Sequence, residues 1–156
     1  MLSRFKTPLI CVAIPLLVGG LSALLTKNAM EEFQLLNQPA LAPPPEIFPI
    51  VWTILYILMG IASYLVYTSD ANPRLINSAL RLYAIQLIMN FCWSIVFFNL
   101  GWYLFAFVWL LIMWLVILAT TWLFYKISKP AAYMLVPYVL WVTFAAYLNF
   151  MIWRLN

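Results

Sequence analysis

Three runs of the sequence set aromatic rings and carboxamides on one helical face. Trp52, Tyr56, Gly60, Ser63 and Tyr67 recur at steps of three and four, as do Gln86, Asn90, Trp93 and Phe97. Tyr138, Trp141, Ala145 and Asn149 repeat the device a third time. Residues three or four apart share one side of an α-helix. The chemistry these faces offer is neutral: π surfaces, indole and amide N–H donors, and carbonyl acceptors. It suits a large, flat, lipophilic ligand held in an apolar pocket by a few hydrogen bonds. The chain has no histidine, so a Ser–His or Cys–His nucleophile cannot be assembled, and a metal would lack ligands. Cys11 and Cys92 stand outside any CxxC and read as small packing residues.

Each face also has a plainer reading. Small residues and amides at helix contacts are how membrane bundles pack, at about 0.6–2 kcal/mol per interhelical hydrogen bond. Asn90 and Asn149 therefore serve equally well as glue. Trp102 and Trp153, at the ends of apolar runs, read as interfacial anchors.

The elements that must carry these faces follow from the distribution of charge. Of 156 residues, 67% are hydrophobic and 8% charged, too little charge to cover a water-facing surface, so lipid is the solvent. No charge falls between Lys6 and Lys27 (20 residues), Glu46 and Asp70 (23), Arg81 and Lys126 (44), or Lys129 and Arg154 (24). A helix crosses a bilayer in about 20 residues. The longest run thus holds two spans, with the turn at "FFNLGWY", where Asn99 and Gly101 tolerate a left-handed backbone. The expectation is an all-α integral membrane protein, one domain over 1–156, with helices near 7–27, 47–68, 76–98, 102–125 and 131–153. The first carries a small-residue stripe: Pro15, Gly19, Ser22 or Ala23, and Thr26. The fourth is apolar all round and faces lipid over much of its surface, with Phe105 as the residue turned inward. Nothing alternates as a β-barrel strand would.

Arg4, Lys6, Arg74, Arg81, Lys126 and Lys129 lie on one side of this arrangement, and only Lys27 and Arg154 on the other. The positive-inside rule makes the N-terminus cytoplasmic and the C-terminus external. The net charge of +4 is then a matter of topology and no nucleic-acid signal. No ionisable residue lies deep in a span, which argues against an ion-coupled pump; no paired broken helices suggest an inverted-repeat transporter.

The stretch "NQPALAPPPEIFP" supplies the remaining element. Each proline fixes φ and pushes its predecessor toward extended conformations, which makes a stiff, non-helical loop predicted over 28–46. Long loops in compact domains tend to be lids. Pro39, Leu41, Pro43 and Pro44 would form this one, while Pro49 falls in the first turn of the next helix.

These residues resemble the translocator protein (TspO/MBR, peripheral-type benzodiazepine receptor) family over nearly the whole chain. "IPLLVGG", the proline loop with "PIVWTILYILMGIASY", "NFCW…FF" and "KPAAYMLVPYVLWVTFAAYLN…IW" carry the likeness in order and spacing. The resemblance implies five tightly packed helices, often dimeric, with a pocket near one membrane face closed by the first loop. It implies porphyrin binding, of the protoporphyrin or haem type, with no obligatory cofactor. By position, Trp52, Asn90, Trp93, Trp141, Ala145, Leu148 and Asn149 would line the pocket. Phe105 would add an aromatic from the fourth helix, and Phe48 and Pro49 would contribute from the loop side. Tyr56 and Tyr138 share the same stripes. The sequence departs from the family at Leu41 and Glu46, where relatives carry indoles, and at Met151, which breaks the sterol pattern at the end of the fifth helix.

Three functions follow as expectations. One is a membrane-embedded binder of tetrapyrroles, acting in transport, sensing or oxidative stress. The second, shown by some relatives, is light-dependent porphyrin degradation, with Trp52 and Trp141 exchanging electrons or hydrogen with the excited ligand. The third is a scaffold in which every conspicuous residue is packing.

Overall fold

Local cap chemistry sets where each apolar run becomes a helix. The computed structural model describes the backbone from Leu2 to Asn156 and side chains from Lys6 onward; Arg4, counted above among the basic residues, lies outside the described side chains. Helix α1 runs over Leu2–Phe33, α2 over Ile47–Tyr67, α3 over Pro73–Ser94, α4 over Tyr103–Ile127 and α5 over Lys129–Leu155. All five are long and apolar enough to cross a membrane. The protein is an integral, multi-pass, all-helical membrane protein, with no strand among the described residues.

α3 starts three residues before its predicted position, because the Asn72 side chain accepts from the Arg74 N–H at 2.9 Å and Pro73 occupies the first turn. Ser128 alone joins α4 to α5; it is extended, and its hydroxyl accepts from the Ala131 N–H. The predicted turn after α3 holds a π-helical segment, Ile95–Asn99, followed by Gly101 at φ +64°. That backbone sign explains the glycine.

One boundary differs substantially. α1 continues past residue 27 to Phe33, so the connection to α2 is 34–46 and not 28–46. Charge at Lys27, Glu31 and Glu32 marks where hydrocarbon ends, and the helix goes on beyond it through good formers such as Ala29 and Met30. Its 32 residues reach about 48 Å, more than the about 40–45 Å of a bilayer with its interfaces.

α1 and α2 run antiparallel in very close contact. A Cβ at Gly60 would sit 2.5 Å from the Val12 Cα and 2.8 Å from the Cys11 carbonyl oxygen, and one at Gly19 would overlap the Tyr56 ring. The small-residue stripe of α1 makes this possible: Pro15, Ser22 and Thr26 are buried, and Ala23 is exposed. α4 is less uniform than its composition suggests. Ala106, Leu110, Met113, Ile117, Thr120 and Phe124 form a buried seam at alternating steps of four and three, while Leu115 and Trp122 face outward. The Trp109 indole donates to the Met89 carbonyl at 2.9 Å, and Trp114 donates to Thr143 Oγ1 at 2.9 Å, which ties α4 to α3 and α5.

Alternation of five helices puts Lys6, Arg74, Arg81, Lys126 and Lys129 at one end of the bundle. Lys126 lies over the Trp122 ring at 3.6 Å, a cation–π contact suited to the interface. Lys27, Glu31, Glu32, Glu46 and Arg154 occupy the other end, together with the 34–46 loop.

Candidate functional site

The amides of the three aromatic faces find one another. The Tyr56 hydroxyl approaches Asn90 Oδ1 at 3.5 Å, Asn90 Nδ2 donates to the Tyr138 hydroxyl at 2.9 Å, and that hydroxyl donates to Gln86 Oε1 at 2.6 Å. One chain of hydrogen bonds thus links α2, α3 and α5 in a dry interior, where an unpaired polar group costs about 1–3 kcal/mol. A second begins at the Trp93 indole, which donates to Asn149 Oδ1 at 3.1 Å. Asn149 Nδ2 donates in turn to the Tyr103 carbonyl at 2.9 Å, so α3, α4 and α5 meet at one carboxamide. Asn90 and Asn149 are committed to holding helices together.

Aromatic rings fill the space beside these networks. Trp52 stacks on Tyr56 with centroids 5.6 Å apart and presents its edge to Tyr138 at 6.3 Å. Phe48, in the first turn of α2, meets Trp141 edge to face at 5.8 Å, and Phe144 flanks the same indole at 5.7 Å. Within this group the Trp141 Nε1 differs from the other donors: it is buried, with no hydrogen-bond partner among the described residues.

The loop is fixed to the end of the bundle that houses this group. The Asn37 N–H donates to Asn156 Oδ1 (3.2 Å), Asn37 Nδ2 to the Leu155 carbonyl (3.2 Å), and Asn156 Nδ2 to the Asn37 carbonyl (3.1 Å). The chain therefore crosses from α1 to the end of α5 before returning to α2. The start of the crossing is set by Phe33, packed against Phe97 at 5.4 Å and Phe98 at 5.3 Å.

Comparison with known proteins decides the affiliation. The model of the TspO/MBR family matches residues 11–154. The chain belongs to the TspO/MBR family. It is 39% identical to the tryptophan-rich protein TspO of Chlorobaculum tepidum over 154 residues, covering 98% of each chain. It is 38% identical to the tryptophan-rich sensory protein of Cereibacter sphaeroides, over 81% of this chain and 77% of that one. With the human translocator protein the identity is 37%, over 78% and 72%. Similarity to the bacterial proteins over so much of the chain supports a bacterial membrane as its location.

In this TspO/MBR protein the expected pocket residues divide into three groups. Tyr56, Asn90, Trp93, Tyr138 and Asn149 are buried and bonded to one another. Phe48, Trp52, Trp141, Ala145 and Leu148 are half-buried around them. Phe105 stands apart: it is 53% exposed on the outer side of α4, against Trp102 at 6.0 Å and Trp109 at 6.2 Å. The expectation that it turns inward is corrected, because the α4 seam passes through its neighbour Ala106. In the loop Pro39 is buried and Pro43 half-buried, whereas Leu41, Pro44 and, beyond the loop, Pro49 are exposed. Sequence reasoning gave Gln86 no place among the ligand residues, and here it closes the first network.

Proposed function

We propose that this protein binds porphyrins and similarly flat tetrapyrroles within the membrane, at the group formed by Phe48, Trp52, Trp141, Ala145 and Leu148, in a sensory or regulatory role. The observation that carries the reading is the unpartnered, buried indole N–H of Trp141 between Phe48 and Phe144. A buried donor without an acceptor is unfavourable by itself, and a carboxylate or carbonyl on a tetrapyrrole edge would satisfy it while the macrocycle stacks on the surrounding rings. The networks through Asn90 and Asn149 would hold this wall rigid. Phe48 is the residue to be displaced, since it closes directly on Trp141, and it lies two residues after the proline loop. The name of the Cereibacter relative, a sensory protein, supports a signalling use of such a ligand. By the positive-inside rule the basic end, with the N-terminus, faces the cytoplasm, so the ligand end faces outward.

The test is titration of protoporphyrin into detergent-solubilised protein, followed by tryptophan fluorescence. Saturable quenching is expected, with affinity about three- to tenfold lower in Trp141→Phe, the size of one hydrogen bond. Quenching that never saturates, or that is identical in the variant, rejects the site.

A further inference from the structure

Trp141 stands about 18 Å along α5 from Lys129 and about 20 Å from Arg154, so neither cation of its own helix reaches the indole. Lys27, the other cation at the loop end of the bundle, is exposed on α1, a helix that does not pack against α5. Carboxylates outnumber cations at that end: Glu31, Glu32 and Glu46 face only Lys27 and Arg154. Glu46 stands two residues before Phe48, which closes on the indole. The side chains grouped with Trp141 (Phe48, Trp52, Phe144, Ala145 and Leu148) are all uncharged.

Backbone donors do not make up for the missing cations. α2 begins beside the indole, and a helix N-terminus ordinarily offers free N–H groups and a positive dipole end to an anion. Here its first three positions are closed. The Ile47 N–H donates to the Pro44 carbonyl at 3.1 Å and the Phe48 N–H to the Pro45 carbonyl at 3.4 Å, while Pro49 has no N–H to give. The proline run thus satisfies, with its own carbonyls, the donors that would otherwise recognise a carboxylate. Glu46, at the cap position, makes no side-chain bond to the helix and adds a negative charge at the same place. The Trp141 N–H is then a single neutral donor. Burying an ionised carboxylate against one such donor, with no cation beside it, is far costlier than burying a neutral carbonyl.

We infer that the acceptor taken by Trp141 is an uncharged carbonyl. The ligands of the site are tetrapyrroles that carry an ester, ketone or lactam on the edge that enters, in preference to free porphyrin carboxylates. This inference rests on the tetrapyrrole reading above and narrows it: the macrocycle is held by the aromatic rings, and the charge state of its edge decides how well it is held.

The test is titration of the purified full chain in detergent with protoporphyrin and with its dimethyl ester, which share one macrocycle, followed by tryptophan fluorescence at about pH 8, where the carboxyls of the free acid are ionised. The ester is expected to bind at least about tenfold tighter than the diacid. Trp141→Phe should weaken the ester about three- to tenfold and the diacid by no more than that, a comparison in which partition into the micelle cancels. A carboxylate bonded directly to the indole would make a charge-assisted bond, and the diacid would then lose more than the ester. Equal or tighter binding of the diacid by the wild type, or a larger loss for the diacid in the variant, overturns this inference and leaves the tetrapyrrole site standing. Failure of both ligands to quench saturably, or indifference of both to Trp141→Phe, removes the site itself and this inference with it.

Discussion

The indole N–H of Trp93 donates to Oδ1 of Asn149 at 3.1 Å, and the same carboxamide donates onward to the Tyr103 carbonyl. Two helices and the first residue of a third are therefore registered by one side chain. Asn149→Leu keeps the volume roughly constant but strands a donor and an acceptor. A loss of about 1–3 kcal/mol is expected, measurable by denaturation in mixed micelles. Unchanged stability would mean that the two groups find other partners.

Tyr138→Phe and Trp141→Phe should behave in opposite ways. The first breaks the link between Asn90 and Gln86 in the buried network, and is expected to destabilise by about 1–3 kcal/mol. The second removes an N–H that bonds to nothing among the described residues, and should cost about 1 kcal/mol or less in packing while weakening porphyrin binding. Thermal unfolding with and without protoporphyrin separates the two. Equal destabilisation of both variants would contradict the distinction drawn here between scaffold and contact.

Two glycines, one inside the α1–α2 contact and one outside it, give a contrast. Gly60→Ala forces a methyl group against the Val12 backbone, where no side chain can rotate away, and overpacking of this kind costs about 1–3 kcal/mol. Gly20→Ala meets nothing within 4 Å and should be neutral or slightly stabilising, since alanine is the better helix former. Melting temperatures of the two variants in detergent provide the comparison. Their equality would indicate that α1 and α2 separate easily.

Much of this architecture can be read from the sequence, for identifiable reasons. Charge-free length defines five spans, and the three-and-four spacing selects the buried faces of α3 and α5 and, apart from exposed Tyr67, that of α2, because period and hydrophobicity are local properties. Ser22 against Ala23 is not decided locally: both continue the three-and-four spacing from Gly19 to Thr26, and only contact with neighbouring helices selects Ser22. The extension to Phe33 is hidden because charged residues end a membrane span without ending a helix. Phe105 misleads for a related reason. α4 is apolar in every direction, so composition cannot distinguish its seam from its lipid face. The difference between Trp93 and Trp141 lies wholly in what stands opposite, an asparagine in one case and phenylalanines in the other. The π-helical segment over Ile95–Asn99 has no signature in residue type.

The loop anchor yields a kinetic prediction. Asn156→Ala removes two of the three bonds that join the loop to the end of α5. These bonds are exposed, so the effect on stability should be under about 1 kcal/mol. Porphyrin association and dissociation, followed by stopped-flow fluorescence, should both accelerate, with the ratio of rates nearly conserved. If only one rate changes, the loop contributes to the bound state and does more than control access.

The clasp of Phe33 between Phe97 and Phe98, with Asn37 and buried Pro39 after it, makes the front half of the connection a fixed pivot. Beyond that pivot Ala40 to Glu46 is stiffened by three consecutive prolines and by two turns, the Ala42 N–H donating to the Pro39 carbonyl at 3.0 Å and the Ile47 N–H to the Pro44 carbonyl at 3.1 Å, the second leading directly into α2. The prolines and Phe48 therefore form one stiff unit, and in the proposed binding mode displacement of Phe48 from Trp141 would carry that unit with it.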